Sequence, residues 1–137
     1  MPTTRTIRRI GAAAAIVPTI DHLIVPIITI ILAPALMSKV FGAGAVAAVV
    51  FFICLGLFQL VWIGILLRSS NRPLLVAGIF GNLVSIIIYF ISLNKVTIFG
   101  VPPQNGGAFA LLIKGLEEIF VFASIEVLRR LSVVETH

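Results

Sequence analysis

Five ionisable side chains within or beside long apolar stretches are the residues of this sequence best placed to do chemistry. They are Asp21, His22, Lys114, Glu117 and Glu118. On a helix, Lys114 reaches side chains three and four positions later, so we expect both carboxylates to contact its ammonium group. One Lys with two Glu leaves an excess carboxyl group, which must be protonated or find another partner. His22 and Asn82 are the candidate partners, and such a set could exchange protons.

Three interpretations of this charged cluster stay open. In order of preference they are an internal salt-bridge network that fixes helix register, docking against membrane helices of another subunit, and a proton or ion path. An ionised side chain at the middle of a bilayer costs at least about 2.5–3.5 kcal/mol on insertion scales. Such a residue is therefore kept because it is paired, neutralised or functional.

The sequence carries no set of residues typical of catalysis, metal binding or a cofactor. It lacks a P-loop, a nucleotide-binding glycine pattern, HExxH and GxSxG. A metal site is less favoured than these three interpretations, because it needs at least about three ligands and only Asp21, His22 and the two glutamates could gather. Haem held by two histidines within one chain is excluded, since only His22 lies in an apolar stretch. We expect no enzyme activity, metal or cofactor.

The composition requires a membrane around these residues. Of the 137 residues 60% are hydrophobic and 11% charged, with a mean hydropathy of +1.21, whereas soluble domains are about 45–50% apolar and about 25% charged. Long unbroken apolar runs favour helices over barrel strands. We predict an all-α polytopic membrane protein, one domain over 1–137. It is a compact bundle of four transmembrane helices at about 16–37, 42–67, 73–93 and 108–131.

The basic residues predict the orientation of the bundle. Residues 1–15 are a basic interfacial N-terminal segment; the alternative is a signal peptide, and we expect the segment to be retained. Basic residues flank the spans on one side at positions 5, 8, 9, 68, 72, 129 and 130, and on the other at 39 and 95. The positive-inside rule then puts both termini in the cytoplasm of a cell-membrane protein. The net charge of +5 reflects this topology, so we expect no nucleic-acid partner.

Small and weakly polar residues share faces on the predicted helices. The helix-packing candidates are Gly44, Ala48 and Gly56 on the second span and Gly78, Gly81, Ser85 and Tyr89 on the third. In lipid, small residues let helix backbones approach and amides bond across the interface. We interpret these faces as packing surfaces rather than a conduction path, and we expect Gln59 to pair with Asn82.

Several segments together carry a resemblance. They are His22-Leu23, FFICLGLFQLVWIGILL over 51–67, Gly81-Asn82, and Phe99-Gly100-Val101-Pro102. Over roughly residues 20–130 the chain resembles a group of small uncharacterised prokaryotic membrane proteins. The resemblance implies four spans and a common core around His22, Gln59, Trp62 and Asn82, and it implies no activity.

These features predict a small accessory or assembly subunit of a larger membrane protein complex. Its expected partners are the lipid bilayer and other integral-membrane subunits or a second copy of the chain. A membrane oxidoreductase would be one host of this kind. The alternative is a small proton- or ion-coupled transporter that uses Glu117 and Glu118. Small multidrug transporters have a similar length, but their membrane carboxylate lies in the first helix.

Overall fold

Most of the residues that the structure describes are helical. The computed structural model describes residues 1–95 and 106–134. In chain order the helices are α1 (Thr4–Leu32), α2 (Pro34–Phe41), α3 (Ala45–Arg68), α4 (Arg72–Ser92) and α5 (Ala108–Val134), with one 3-10 turn, Gly42–Gly44, before α3. This part of the chain contains no strand. The all-α prediction is confirmed to that extent.

The first helix is longer at its start, and ends sooner, than the sequence predicts. It begins at Thr4 rather than at residue 16, because the Thr3 hydroxyl accepts a hydrogen bond from the Thr6 amide at 3.1 Å and so caps the first turn. The predicted N-terminal segment is therefore continuous with α1, and Ile7 and Ala15 are buried. The helix stops before Pro34, whose ring disfavours a helical residue before it.

The other boundaries lie close to those predicted. Gly42 turns the chain toward α3 with a φ of 53°, in the left-handed region that glycine adopts at little cost. The side chain of Asn71 caps α4 by accepting from the Leu74 amide at 3.2 Å, and Pro73 occupies the first turn. Proline is tolerated there because the first amides of a helix have no partner within it.

Three helices are long and apolar enough to cross a membrane: α1, α3 and α4. For these three helices the prediction is confirmed in length and apolar composition. The fourth long helix, α5, has 27 residues, but Lys114, Glu117 and Glu118 interrupt its first half. Length and composition therefore do not identify α5 as a span, and its crossing of a membrane stays a prediction.

The four long helices pack as an antiparallel ring. α1 lies against α3 and α5, and α4 closes the ring by contacting α5 and, less extensively, α3. Gly11 of α1 approaches Leu66 of α3, whereas His22, further along α1, lies near Gly56. α1 and α3 are therefore antiparallel. The three-residue connection between α3 and α4 makes these two helices antiparallel as well.

Hydrogen bonds from arginines join the helix ends where the basic segments meet. Arg8 donates to the carbonyl oxygens of Leu66 and Ser69, both at 2.6 Å. At the same end of the bundle, Arg130 of α5 donates to the carbonyl of Pro2 at 2.8 Å. We call this the terminal end of the bundle. It gathers the basic segments that the sequence predicts to share one side of a membrane.

The apolar core fills the half of the bundle nearest the terminal end. Its buried members are Ile7, Ala15, Leu66, Leu75, Phe120, Ala123 and Val127. Gly11 lets α1 approach this core closely, because a methyl group there would lie 2.6 Å from the Ala123 Cβ. Apart from Ser124, which lies between Ala123 and Val127 on α5, the buried polar side chains lie in the other half of the bundle and at its middle.

Two aromatic rings of α3 fit against glycines of α4. Phe58 and Trp62 stack with ring centroids 4.7 Å apart and planes 18° apart. A methyl group at Gly78 would overlap the Trp62 indole, and one at Gly81 would overlap the Phe58 ring. Close approach of glycine to a large ring is the geometry that small-residue faces permit in membranes, so the α3–α4 contact depends on these glycines.

We expect Gly78→Ala to destabilise the bundle by about 1–3 kcal/mol, the usual cost of overpacking, because the new methyl group displaces the indole of Trp62. Trp62 is the only tryptophan in the sequence, so its fluorescence reports on this contact during unfolding by denaturant in detergent micelles. Gly64→Ala on α3 is the matched control, since a methyl group there meets no atom within 4 Å. Equal stability of both variants would contradict the prediction.

Candidate functional site

Four polar side chains form a connected layer across the middle of the bundle, and we call it the polar layer. Its members are His22 of α1, Gln59 of α3, and Lys114 and Glu117 of α5. Glu117 is only 1% exposed. Lys114 Nζ donates to Glu117 Oε2 at 2.7 Å, and Gln59 Nε2 donates to Glu117 Oε1 at 2.7 Å. Both carboxylate oxygens are therefore satisfied.

The hydrogen bonds of Gln59 determine which nitrogen of His22 carries a proton. Gln59 must direct its amide nitrogen toward the carboxylate, which only accepts when ionised. Its carbonyl oxygen then lies 3.0 Å from His22 Nδ1, so this nitrogen donates. The other ring nitrogen, Nε2, keeps its lone pair in the neutral imidazole. The His22 ring also stacks on Phe52, with centroids 5.7 Å apart and planes 8° apart.

A glycine brings two helices of the polar layer together. Gly56 lies nearly one turn before Gln59, and a methyl group at this position would lie 3.2 Å from the Cβ of His22 and overlap Leu23. The absence of a side chain at Gly56 lets the α1 backbone approach α3. The imidazole is thereby held within hydrogen-bonding distance of the Gln59 amide.

Glu118 lies outside the polar layer. Successive residues of a helix are rotated by about 100°, so Glu117 faces the interior while Glu118 is exposed on the outer surface of α5. Among the described residues none forms a hydrogen bond or ion pair with Glu118. The expectation that Lys114 contacts both carboxylates is therefore wrong: it binds Glu117 alone. The excess carboxyl group faces the surroundings of the bundle.

The two buried amides do not pair with each other. Gln59 faces α1 and α5, where it binds His22 and Glu117. Asn82 is also buried, but its Nδ2 donates to the carbonyl of Gly78 in its own helix at 2.8 Å. The predicted Gln59–Asn82 pair is wrong because both side chains are engaged elsewhere.

A cavity of about 140 Å³ adjoins the polar layer on the side away from the terminal end. Its polar lining residues are Asp21, His22, Ser85, Tyr89, Ser92 and Lys114. Phe51, Phe52 and Phe109 are among its apolar walls. Asp21 is half-buried and Phe109 is exposed, so the cavity extends to the molecular surface. The sequence indicated Ser85 and Tyr89 as packing residues, and the structure places them at a void.

Two hydroxyl groups at this cavity are buried without a hydrogen-bond partner in the part of the chain that the structure describes. They are Ser85 Oγ and Tyr89 Oη, on residues only 5% and 7% exposed. The ammonium group of Lys114 lies over the Tyr89 ring, 5.3 Å from its centroid. Unpaired buried hydroxyl groups are costly, and a polar molecule in the cavity would reduce that cost.

The remaining predicted packing residues differ in burial. Ala48 is fully buried, while Gly44 ends the 3-10 turn before α3 and is half-exposed. Across the described ranges, no three His, Cys, Asp or Glu side chains gather where they could hold a metal ion. Sequence reasoning missed the stacking of Phe52 on His22, since a phenylalanine in an apolar run gives no signal of this role.

We expect Lys114→Met to destabilise the protein by about 3–5 kcal/mol, because it leaves the Glu117 carboxylate buried without its counter-charge. The double variant Lys114→Met/Glu117→Gln should recover most of this loss, since no buried charge remains. Unfolding in mixed micelles, followed by circular dichroism, measures both. Glu118→Gln is the control on the same helix and should unfold like the unmodified protein. Strictly additive effects of the two substitutions would refute the coupling.

Comparison of the chain with models of protein families, with curated proteins and with solved structures finds no match.

Proposed function

We propose that this chain is a small, non-catalytic integral-membrane subunit of a larger membrane protein complex, with α5 as its fourth span. The observation that carries the proposal is the exposed carboxyl group of Glu118 on the outer face of α5. The polar layer is satisfied within the bundle, so it needs no partner. On an α5 that spans the membrane, Glu118 would need one.

The depth of Glu118 supports this proposal. Glu118 lies about 15 Å along the axis from the start of α5 at Ala108, from the rise of a helix. The hydrocarbon core of a bilayer is about 30 Å thick, so a spanning α5 that enters the bilayer near Ala108 would hold the carboxylate near its middle. An ionised group facing lipid at this depth costs at least about 2.5–3.5 kcal/mol. A neighbouring membrane helix with an amide or basic side chain would offset that cost.

The surroundings of Glu118 suit the approach of another helix. Gly115 lies on the same face, and a methyl group built there meets no atom within 4 Å. Phe122, one turn later on this face, is 68% exposed. This face thus carries a small residue, a polar group and a large apolar side chain at helical spacing. Interfaces between associating membrane helices contain small and polar residues of this kind.

The proposal includes a cell-membrane location with both termini in the cytoplasm. The basic segments support it because hydrogen bonds from Arg8 and Arg130 draw them to the terminal end of the bundle. Basic residues on one side of a membrane protein set its orientation toward the cytoplasm.

The subunit role is tested by native mass determination after gentle detergent extraction from the source membrane. We expect a mass well above that of one 14.7 kDa chain, with distinct partner chains. Glu118→Leu should release these partners because it removes the docking carboxylate. Glu126→Gln, which removes the same charge from the same helix elsewhere, should retain them. A wild-type chain that is monomeric and has no copurifying partner would refute the proposal.

A proton- or ion-coupled transporter is the second candidate, and one observation favours it. His22 and Lys114 belong to the polar layer and also line the cavity. Ionisable groups that adjoin a void inside a bundle are typical of proton and ion pathways. In this role Glu117 would be the coupling carboxylate, and Glu118 would have no part.

Transport predicts a proton flux in liposomes that contain only the purified chain. Glu117→Gln should abolish the flux, because the amide cannot release a proton, and Glu118→Gln should leave it unchanged. A pH-sensitive dye inside the vesicles measures both. No flux above that of empty vesicles, or equal flux in all variants, would remove this candidate.

A further inference from the structure

We propose that the cavity beside the polar layer binds a small organic cation, a primary ammonium group on a body about as large as a benzene ring. This binding site is independent of the docking role of α5. Glu118 lies outside the residues that line the cavity.

The charges around the cavity favour a cation. Lys114 and Glu117 neutralise each other through a 2.7 Å ion pair. Asp21 also lines the cavity, and among the described residues no side chain forms a hydrogen bond or ion pair with it. Buried charges are normally paired, and Asp21 is half-buried without such a partner. The uncompensated charge at the cavity is thus negative, and a ligand ammonium group would compensate it.

The hydrogen-bonding groups match the same ligand. His22 Nε2 has a lone pair to offer once Nδ1 donates to Gln59. Ser85 Oγ and Tyr89 Oη are buried without partners in the described chain, and both can accept. An ammonium group has three donors and no acceptor. Together with the Asp21 carboxylate, the lining therefore offers more acceptors than one ammonium group can use.

The size and walls of the cavity define the rest of the ligand. An apolar cavity of about 150 Å³ accommodates benzene, and this one measures about 140 Å³. Phe51, Phe52 and Phe109 line it. Aromatic faces attract cations and pack against apolar bodies. A compact apolar group would pack against the aromatic walls, and the ammonium group that it carries would pair with the Asp21 carboxylate.

An anion is the competing ligand, because Lys114 has N–H donors beyond the one bound to Glu117. Two features disfavour it. The Lys114 charge is already compensated by Glu117, and the Asp21 carboxylate would repel a second negative charge. The order of affinities for matched cationic, neutral and anionic molecules therefore decides between the two.

The test uses three probes of the same size: benzylamine, benzyl alcohol and benzoate. Each is equilibrated with the full chain in lipid nanodiscs at neutral pH, and binding is measured by ligand-observed NMR against empty nanodiscs. We expect benzylamine to bind at least about tenfold more tightly than the other two probes, the size of one modest ionic contact. Preference for benzoate, equal affinities or no binding above empty nanodiscs would each overturn the proposal.

Two variants tie binding to this cavity. Asp21→Asn should lower the affinity for benzylamine to that for benzyl alcohol, while Glu118→Gln should leave all three affinities unchanged. Ile88→Phe fills the cavity without altering its charge and should abolish binding of every probe. Trp62 fluorescence confirms that each variant is folded. Should Asp21→Asn fail to fold, the loss of binding in Ile88→Phe alone tests whether the probes occupy this cavity. Benzylamine binding that persists in Ile88→Phe would refute the site.

Discussion

The ion pair between Lys114 and Glu117 is the constraint on which the packing of this bundle depends. A carboxylate that is 1% exposed has lost nearly all its water, and the cost of that loss is several kcal/mol per ion before compensation. Compensation requires the ammonium group of the same helix and the Gln59 amide of another. Gln59 in turn orients His22 on a third helix. Rotation of any of these helices would break the chain of hydrogen bonds.

Close backbone approach makes this arrangement geometrically feasible. Short polar side chains such as Gln reach across an interface only when the helices are near one another, and Gly56 provides that proximity between α1 and α3. On the opposite side, Gly78 and Gly81 admit the rings of Trp62 and Phe58. Small residues thus serve two purposes: they bring polar partners together in one interface and accommodate large rings in the other.

The sequence predicted the helices and the polar residues better than it predicted their pairings. Hydropathy locates apolar segments because burial in lipid requires long runs, so α3 and α4 were placed within a few residues. Helical spacing gives Lys114 two reachable carboxylates, but only the positions of neighbouring helices determine that Glu117 faces inward. The hydrogen-bond partners of Gln59 likewise depend on the positions of the neighbouring helices. The cavity was unpredictable, since a void is defined by what surrounding side chains fail to fill.

The apolar core at the terminal end has a consequence for the electrical properties of a membrane. Solvent that enters from the cavity side meets the polar layer, and behind that layer Leu66, Phe120 and Val127 are packed with almost no exposure. This packing is almost entirely apolar, because the buried hydroxyl group of Ser124 already donates to the carbonyl of Phe120, so it offers an entering ion little in place of its lost hydration. The apolar half therefore opposes passive leakage of ions through the bundle, and any coupled transport would have to open it.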